Sequence, residues 1–369
     1  MAARWRALRS ARSRRRNLRR TKRYSNRTGN PSGTGSGTVS FTVAAATGAS
    51  RTANLSIGGA NFTVQQAGPA APQNIGFFQP TNGPLWALDT NGNGTFDAAD
   101  QFFSFAGQPG AIAVAGDWNG DGRTKVGYYL NGFWALDYNG NGVWDGPGGG
   151  DKFYAFGGGP SYVPVVGDWN GDGRTKIGYY NGGFWALDTN GNGTFDSGDS
   201  FFGWGGNGAG EVPLVGDWNG NGRTKIGYFY QGKWVLDTNG NGQFDAGIDR
   251  YSTSFPYTPG DKPVTGDWTG DGIAKMGIYR NGFWILDTNN NGTYEGALDK
   301  FHAFGGRAGD TPIVGDWSGN GRDKIGVYNA GFWVLDVNGN GSFDGVGPGQ
   351  DRFNGFGGTP GNQPLIGRW

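Results

Sequence analysis

The chain has 369 residues, among them 76 Gly, 17 Pro, one His and no Cys, with 31 Lys and Arg against 30 Asp and Glu. The lack of cysteine excludes disulfides, zinc thiolate sites and thiol nucleophiles, and no apolar run approaches the length of a membrane span. The near-zero total hides a partition: residues 1–27 carry twelve Arg and Lys and no acid, which leaves −11 for the rest.

Residues 1–37 read as a basic, disordered arm and linker. Arg14, Arg15, Arg16, Arg19 and Arg20 suit nucleic acid or an anionic surface through counterion release, so nucleic acid is a partner only if this arm is native. The arm lacks the apolar stretch of a usual secretory signal, and the alternative to a real arm is a false start of translation. Residues 31–38, PSGTGSGT, are linker-like.

The next segment, 38–68, contains VSFTVAAATGASRTANLSIGGANFTVQQAG, which predicts two or three strands with turns at Thr47-Gly48 and Gly58-Gly59. It resembles the C-terminal half of BACON-type β-sandwich modules, which accompany secreted bacterial carbohydrate-active and adhesive proteins. The half that would complete the sandwich is replaced here by the arginine arm.

From Asn74 onward a unit of about fifty residues recurs, and such a period means stacked supersecondary units. Its GDW landmark recurs with Asp117, Asp168, Asp217, Asp267 and Asp316, and its LDxN landmark with Asp89, Asp137, Asp188, Asp237, Asp287 and Asp336. The two ends complete each other. The chain stops at QPLIGRW, which matches VPLVGDW, and the missing continuation stands at Asn74, Ile75, Gly76, Phe77 and Phe78, which match Lys225 to Phe229. A closed ring needs one unit shared between its ends, and a linear solenoid does not. The expected fold over 74–369 is therefore all-β: a six-bladed β-propeller of four-stranded blades, closed by one blade shared between the ends.

In the third repeat, short apolar runs bounded by Gly and Asn predict strands near 163–169, 176–180, 184–188 and 199–204. Twelve of the fifteen Trp fill two repeat positions. Trp118, Trp169, Trp218, Trp268, Trp317 and Trp369 form one series, and Trp86, Trp134, Trp185, Trp234, Trp284 and Trp333 the other. Identical large rings in each copy suit packing between blades better than ligand stacking. His302 aligns with Phe103, Tyr154, Phe202, Ser252 and Asn354, a variable position expected to face solvent and a poor place for a catalytic base.

Two loops could carry chemistry. DTNGNGTFDAAD places Asp89, Asn91, Asn93, Asp97 and Asp100 at positions 1, 3, 5, 9 and 12, with Gly at 6 and the Thr95 carbonyl at 7. That spacing turns alternate oxygens inward around calcium, and it resembles the loops of dockerins and EF-hands. Asp188, Asn190, Asn192, Thr194, Asp196 and Asp199 repeat it without a gap. The other candidate ligands are Asp137, Asn139, Asn141, Val143 and Asp145; Asp237, Asn239, Asn241, Gln243 and Asp245; Asp287, Asn289, Asn291, Thr293 and Glu295; and Asp336, Asn338, Asn340, Ser342 and Asp344. In these copies the last acid slips, to Asp249 and Asp299 or, after Gly/Pro insertions, to Asp151 and Asp351. The alternative is a pair of Asx turns without metal; against it, a bare turn has no evident use for an acid at position 9 in all six copies.

The second loop, GDWNGDGRTKIG, resembles the FG-GAP or VCBS repeats of integrin-like propellers, whose acidic Gly-rich loops cage calcium; the resemblance spans 74–369. Here position 9 is Lys125, Lys176, Lys225, Lys275 or Lys324. An ammonium repels a metal ion, so the Lys is expected to replace it and to pair with the first Asp of its own hairpin. In the shared blade that Asp becomes Arg368 and the Lys becomes Asn74, so both partners vanish together.

Each Asp repeats from blade to blade, which suits structure or metal better than a unique acid/base pair. No catalytic residue is expected. Six similar rim surfaces could turn weak contacts into avidity. The positions to inspect are those that vary: Leu85, Phe133, Phe184, Lys233, Phe283 and Phe332, with Leu130, Asn181, Gln231, Arg280 and Asn329 in the preceding turn. The sequence thus reads as a monomeric, secreted or surface-exposed bacterial adhesion propeller that binds glycan or extracellular protein with calcium in its loops. A polysaccharide-acting glycoside hydrolase and a purely structural scaffold are the alternatives.

Overall fold

A computed structural model describes the backbone of residues 51–369 except 58, 59, 67–69, 82, 83, 106, 207 and 348, with side chains from residue 70 onward. Contacts separate Met1–Ala70 from Ala71–Trp369. In the first unit Arg51–Ile57 pairs antiparallel with Ala60–Gln66, from Arg51 opposite Gln66 to Ile57 opposite Ala60. The basic arm and the Thr47-Gly48 and Gly58-Gly59 turns lie outside the described residues.

The second unit is six four-stranded antiparallel sheets, with no helix among the described residues. In the third blade the strands run Val163–Gly167, Lys176–Asn181, Phe184–Leu187 and Ser200–Gly203, in sheet order. At five of the six seams the first strands of successive blades touch one another, so the first strand is innermost and the fourth outermost. Ring closure follows the expected alignment. Gln363–Gly367 pairs with Asn74–Gln79, and Gly367 faces Asn74 as Gly167 faces Lys176. This is a six-bladed β-propeller.

Both tryptophan series lie in the seams. Trp86, Trp134, Trp185, Trp234, Trp284 and Trp333 are fully buried, and each meets a second-strand ring, from Phe78 to Tyr328, at centroid distances of 4.3 to 5.0 Å. At roughly 25 cal/mol per Å2, an indole that buries about 200 Å2 contributes about 5 kcal/mol before entropy. The other series fastens each hairpin: Trp169 Nε1 donates to the Ile177 carbonyl at 2.9 Å, and Trp369 Nε1 donates to the Ile75 carbonyl at 3.1 Å across the chain ends. Trp134 and Ala186, from neighbouring blades, belong to one apolar cluster.

In the five blades other than the shared one, the second and third strands are joined by two-residue turns, such as Asn131-Gly132 between Leu130 and Phe133. Both residues have positive φ, 49° and 93°, as a type I′ turn requires. Gln231 occupies this same turn position, with φ 47°, so the cross-strand partner of Lys233 is Tyr230 and not Gln231. The register therefore corrects the varying set to Leu130, Asn181, Tyr230, Arg280 and Asn329, with Gln79 in the shared blade.

His302 does not face solvent. It is half-buried, and its imidazole lies against Gly341 in the metal-candidate loop of the next blade, where a Cβ would come within 1.7 Å of Nδ1. Tyr154 meets Gly193 and Phe202 meets Gly242 in the same way. The position varies because it fills a seam beside a bare backbone that accepts several shapes. Burial pushes the His302 pKa down.

Candidate functional site

The connections from first to second strand and from third to fourth strand emerge on one face of an antiparallel blade, and these are the GDW and LDxN loops. Both are built on one turn. In the GDW loop of the third blade, Asp168 accepts the N–H groups of Gly171, Asp172 and Gly173 at 2.9, 3.1 and 2.8 Å. In the LDxN loop, Asp188 accepts those of Gly191, Asn192 and Gly193 at 2.9, 3.1 and 2.9 Å. The first Asp is thus the hub that orders each turn.

In the GDW loop the lysine ammonium fills the centre. Lys176 Nζ lies 2.7 Å from Asn170 Oδ1, 2.7 Å from Asp172 Oδ1, 3.1 Å from the Arg174 carbonyl and 3.4 Å from Asp168 Oδ1. These are positions 3, 5, 7 and 1, the oxygens that such a loop offers a cation. The expected pairing with the first Asp is present in all five complete cages, at 2.9 to 3.6 Å. In the third blade the residues at 3 and 5 hold the ammonium more closely, and the first Asp also orders the backbone amides. Lys225 comes nearest to its first Asp, with Asp217 Oδ1 at 2.9 Å; position 5 is Asn221 there and Asn320 in the Lys324 cage, in place of an Asp. The hydrogen bond from Lys125 holds Asp121 down at about 2. In the shared blade Arg368 reaches Asp316 of the neighbouring blade at 3.7 Å.

The LDxN loop has the opposite charge at position 9. Asp196 accepts the amide groups of Asn190 and Asn192 at 3.0 and 2.7 Å, and the Oδ1 atoms of those asparagines accept backbone N–H groups of Asn192 and Thr194. The expectation that a bare turn has no use for this acid does not hold, because the carboxylate joins two side-chain amides. Asp97, Asp145, Asp245, Glu295 and Asp344 take the same place. Asp89, Asn91 and Asn93 repeat this arrangement, as do Asp137, Asn139 and Asn141, Asp237, Asn239 and Asn241, and Asp336, Asn338 and Asn340. Asp287, Asn289 and Asn291 complete the set. At position 7, Thr95, Val143, Thr194, Gln243, Thr293 and Ser342 each donate their N–H to the position 5 amide oxygen at 2.7 to 2.8 Å.

The last acid lands in one place whatever the insertion before it. Asp199 accepts the N–H groups of Thr189 and Asp196 at 2.9 and 3.0 Å; Asp151, after its longer insertion, accepts those of Tyr138 and Asp145 at 3.1 and 2.8 Å. Asp100, Asp249, Asp299 and Asp351 do likewise. Among the described residues no group of three or more His, Cys, Asp or Glu converges on a metal position. The donors that can turn toward a cation are the position 9 carboxylate and the two asparagine oxygens, an all-oxygen set suited to a hard ion. Burial pushes Asp188 and Asp336 up to about 6 against the pull of the backbone amides, whereas the Gly198 amide and both asparagines hold Asp196 low.

A second feature lies on the sides of the blades. Phe133 and Phe153, Phe184 and Phe201, Phe283 and Phe301, and Phe332 and Phe353 stand as stacked pairs, 5.6 to 5.9 Å apart and within 24° of parallel. These rings are 43% to 55% exposed. Leu85 and Lys233 occupy the third-strand place in the other two blades. The outer-strand partners Phe102, Phe153, Phe201, Tyr251, Phe301 and Phe353 were not singled out from sequence; the signal was an aromatic at one outer-strand position in every copy.

No protein-family model matches this chain, and no curated protein is similar to it. The FG-GAP resemblance therefore rests on its GDW loops alone. A solved structure, described as the basis of specific recognition of non-reducing terminal N-acetylglucosamine by an Agrocybe aegerita lectin, is similar over 82% of this chain and 96% of its own. The identity is 16% and the TM-score 0.48.

Proposed function

We propose that this chain is a non-catalytic binding propeller, acting outside the cell or at its surface, that recognises glycan or extracellular protein through its blade sides while calcium holds the LDxN loops. The observation that carries the reading is the repeated pair of stacked, half-exposed phenyl rings, each a flat apolar platform of the kind that accepts the face of a sugar ring or an apolar side chain. The LDxN acids repeat in every blade and are bonded to their own loops, which suits a scaffold. For calcium, the lysine cages give an internal comparison: one turn gathers oxygens around a positive centre supplied by position 9, and the LDxN loop replaces that lysine with a carboxylate. Asp196, Asn190 and Asn192 and their counterparts would hold calcium there, and the bound ion would supply charge neutralisation.

Binding of the full chain to an array of glycans and extracellular matrix proteins, with calcium and with chelator, tests this reading. Saturable binding that is lost when Phe184 and Phe201 and their counterparts are changed to Ser supports it. Retained binding in those variants, or no ligand among the probes in either condition, speaks against it.

A further inference from the structure

Resting on the glycan reading, we propose that one seam, between the fifth and sixth blades, takes a single acidic sugar residue, a pyranose bearing a carboxylate. A cavity of about 490 Å3 opens there, lined by Val327, Val334, Phe332, Phe353, Phe343 and Arg307 among others. That volume lies within the range of small-molecule sites, which is about 300 to 1,000 Å3.

The cavity exists for an identifiable reason. Val327 stands where the other blades carry Phe77, Tyr128, Tyr179, Tyr228 and Ile278, as their pairing with the third strand shows. In the third blade Tyr162 lies against Tyr179 at 4.8 Å and fills the same space. Valine is the smallest occupant, so this seam stays open. Its wall is the Phe332 and Phe353 pair, 5.9 Å apart and 23° from parallel, a surface for the C–H face of a pyranose.

The charge at the mouth selects the ligand. Asp310 is turned inward: it accepts the Gly306 and Arg307 backbone N–H groups at 2.8 and 2.9 Å and the Asn329 side-chain amide at 2.7 Å. Among the described residues the exposed Arg307 guanidinium has no hydrogen-bond or ion-pair partner. In the fifth blade Arg280 is instead bound to Asp261 by two bonds of 2.7 Å. An open guanidinium beside a flat apolar wall fits a ring that carries its own carboxylate, which it can receive through two N–H groups.

The test is calorimetric titration of the full chain with a galacturonate trisaccharide, the uncharged galactose trisaccharide and benzoate. The galacturonate is expected to bind, the neutral sugar at least about tenfold more weakly, and benzoate not at all. Val327→Tyr installs a residue three other blades already carry, so it should fold with an unchanged Tm and lose binding; Arg307→Gln should abolish the preference for acid over neutral sugar. Binding of galacturonate to Val327→Tyr as to the parent overturns the seam but leaves the glycan reading standing. Equal binding of benzoate, or no preference for acid in the parent, overturns the ligand class. If neither sugar binds but other glycans on the array do, the inference alone fails; if no glycan binds at all, both readings fail.

Discussion

Thr175 and Asp117 hold each other twice across a blade seam: the Thr175 N–H donates to the Asp117 carbonyl at 2.8 Å, and the Asp117 N–H donates to Thr175 Oγ1 at 3.0 Å. Thr224 with Asp168 and Thr124 with Arg368 repeat the exchange. Asp323 with Asp267 and Gln73 with Asp316 make it with other side chains. At the remaining seam Ala274 gives only the backbone half, 2.9 Å to the Asp217 carbonyl. Ala274→Thr should therefore stabilise the propeller, and Thr175→Ala should destabilise it, each by about 1 kcal/mol. Urea unfolding of both variants checks this; a neutral Ala274→Thr would show that the second bond contributes nothing.

Ala330 sits in the strained first position of its turn, at φ 47°, where Asn131 and Asn281 serve in other blades. The left-handed conformation costs a residue without a local side-chain hydrogen bond roughly 1 kcal/mol. Ala330→Asn should raise stability by a substantial part of that, with no change in ligand binding, because the turn lies outside the seam cavity. An unchanged or lowered unfolding midpoint would contradict the assignment of the turn.

How much of this was legible in the sequence depends on whether a residue acts within its own repeat. The ring closure was readable because Trp369 stops the chain where Asn74 resumes it, and Lys176 at position 9 announced its own charge. His302 was misread because its partner, Gly341, belongs to the next blade, and alignment of copies says nothing about which copy touches which. The same blindness hid the seam cavity. Val327 is an ordinary strand residue by pattern, and its small size matters only against the preceding blade's Gly305, whose Cβ position would come within 2.8 Å of it. Gln231 was displaced by one because Tyr230 ends the strand without a turn residue's signature.

The glycine at position 6 of each LDxN loop answers two demands at once. Gly193 has φ +75°, and a Cβ there would come within 1.9 Å of the Tyr154 ring. Gly193→Ala should cost roughly 1–3 kcal/mol from backbone strain, with the displaced tyrosine adding to it. The double change Tyr154→Ser with Gly193→Ala should recover the steric part only. Full recovery would mean that the left-handed conformation costs nothing here.

Lys125 links the GDW cage to pH. Its hydrogen bond lowers Asp121 from an ordinary 3.8 to about 2, so the fold gains stability that is complete above the ordinary value and is lost as the pH falls through about 2. Lys125→Met removes the cause. The variant should be less stable than the parent at pH 7, and the gap should narrow between about pH 4 and pH 2 as Asp121 protonates in the parent. Unfolding curves at several pH values in that window give the gap directly, and a constant difference would mean that the ammonium is held by its neutral partners alone.

Calcium is the sharpest division between the two accounts of the LDxN loops. In one, Asn190 and Asn192 keep their amides on Asp196 and the loop is complete. In the other, they turn and the ion takes the charge. An ion that binds only the folded chain adds about 2.7 kcal/mol per site at a hundredfold excess over its Kd. Calcium at millimolar concentration should therefore raise the Tm of the chelator-treated chain well beyond the rise given by magnesium, which keeps its waters and demands a tighter octahedral shell. Asp196→Asn should remove one site's share of the rise and lower the metal-free Tm only slightly, because the amide oxygen still accepts from one of the two asparagines. A Tm indifferent to calcium would leave the hydrogen-bonded turn as the whole account, with Asp196 serving as a tie between two amides.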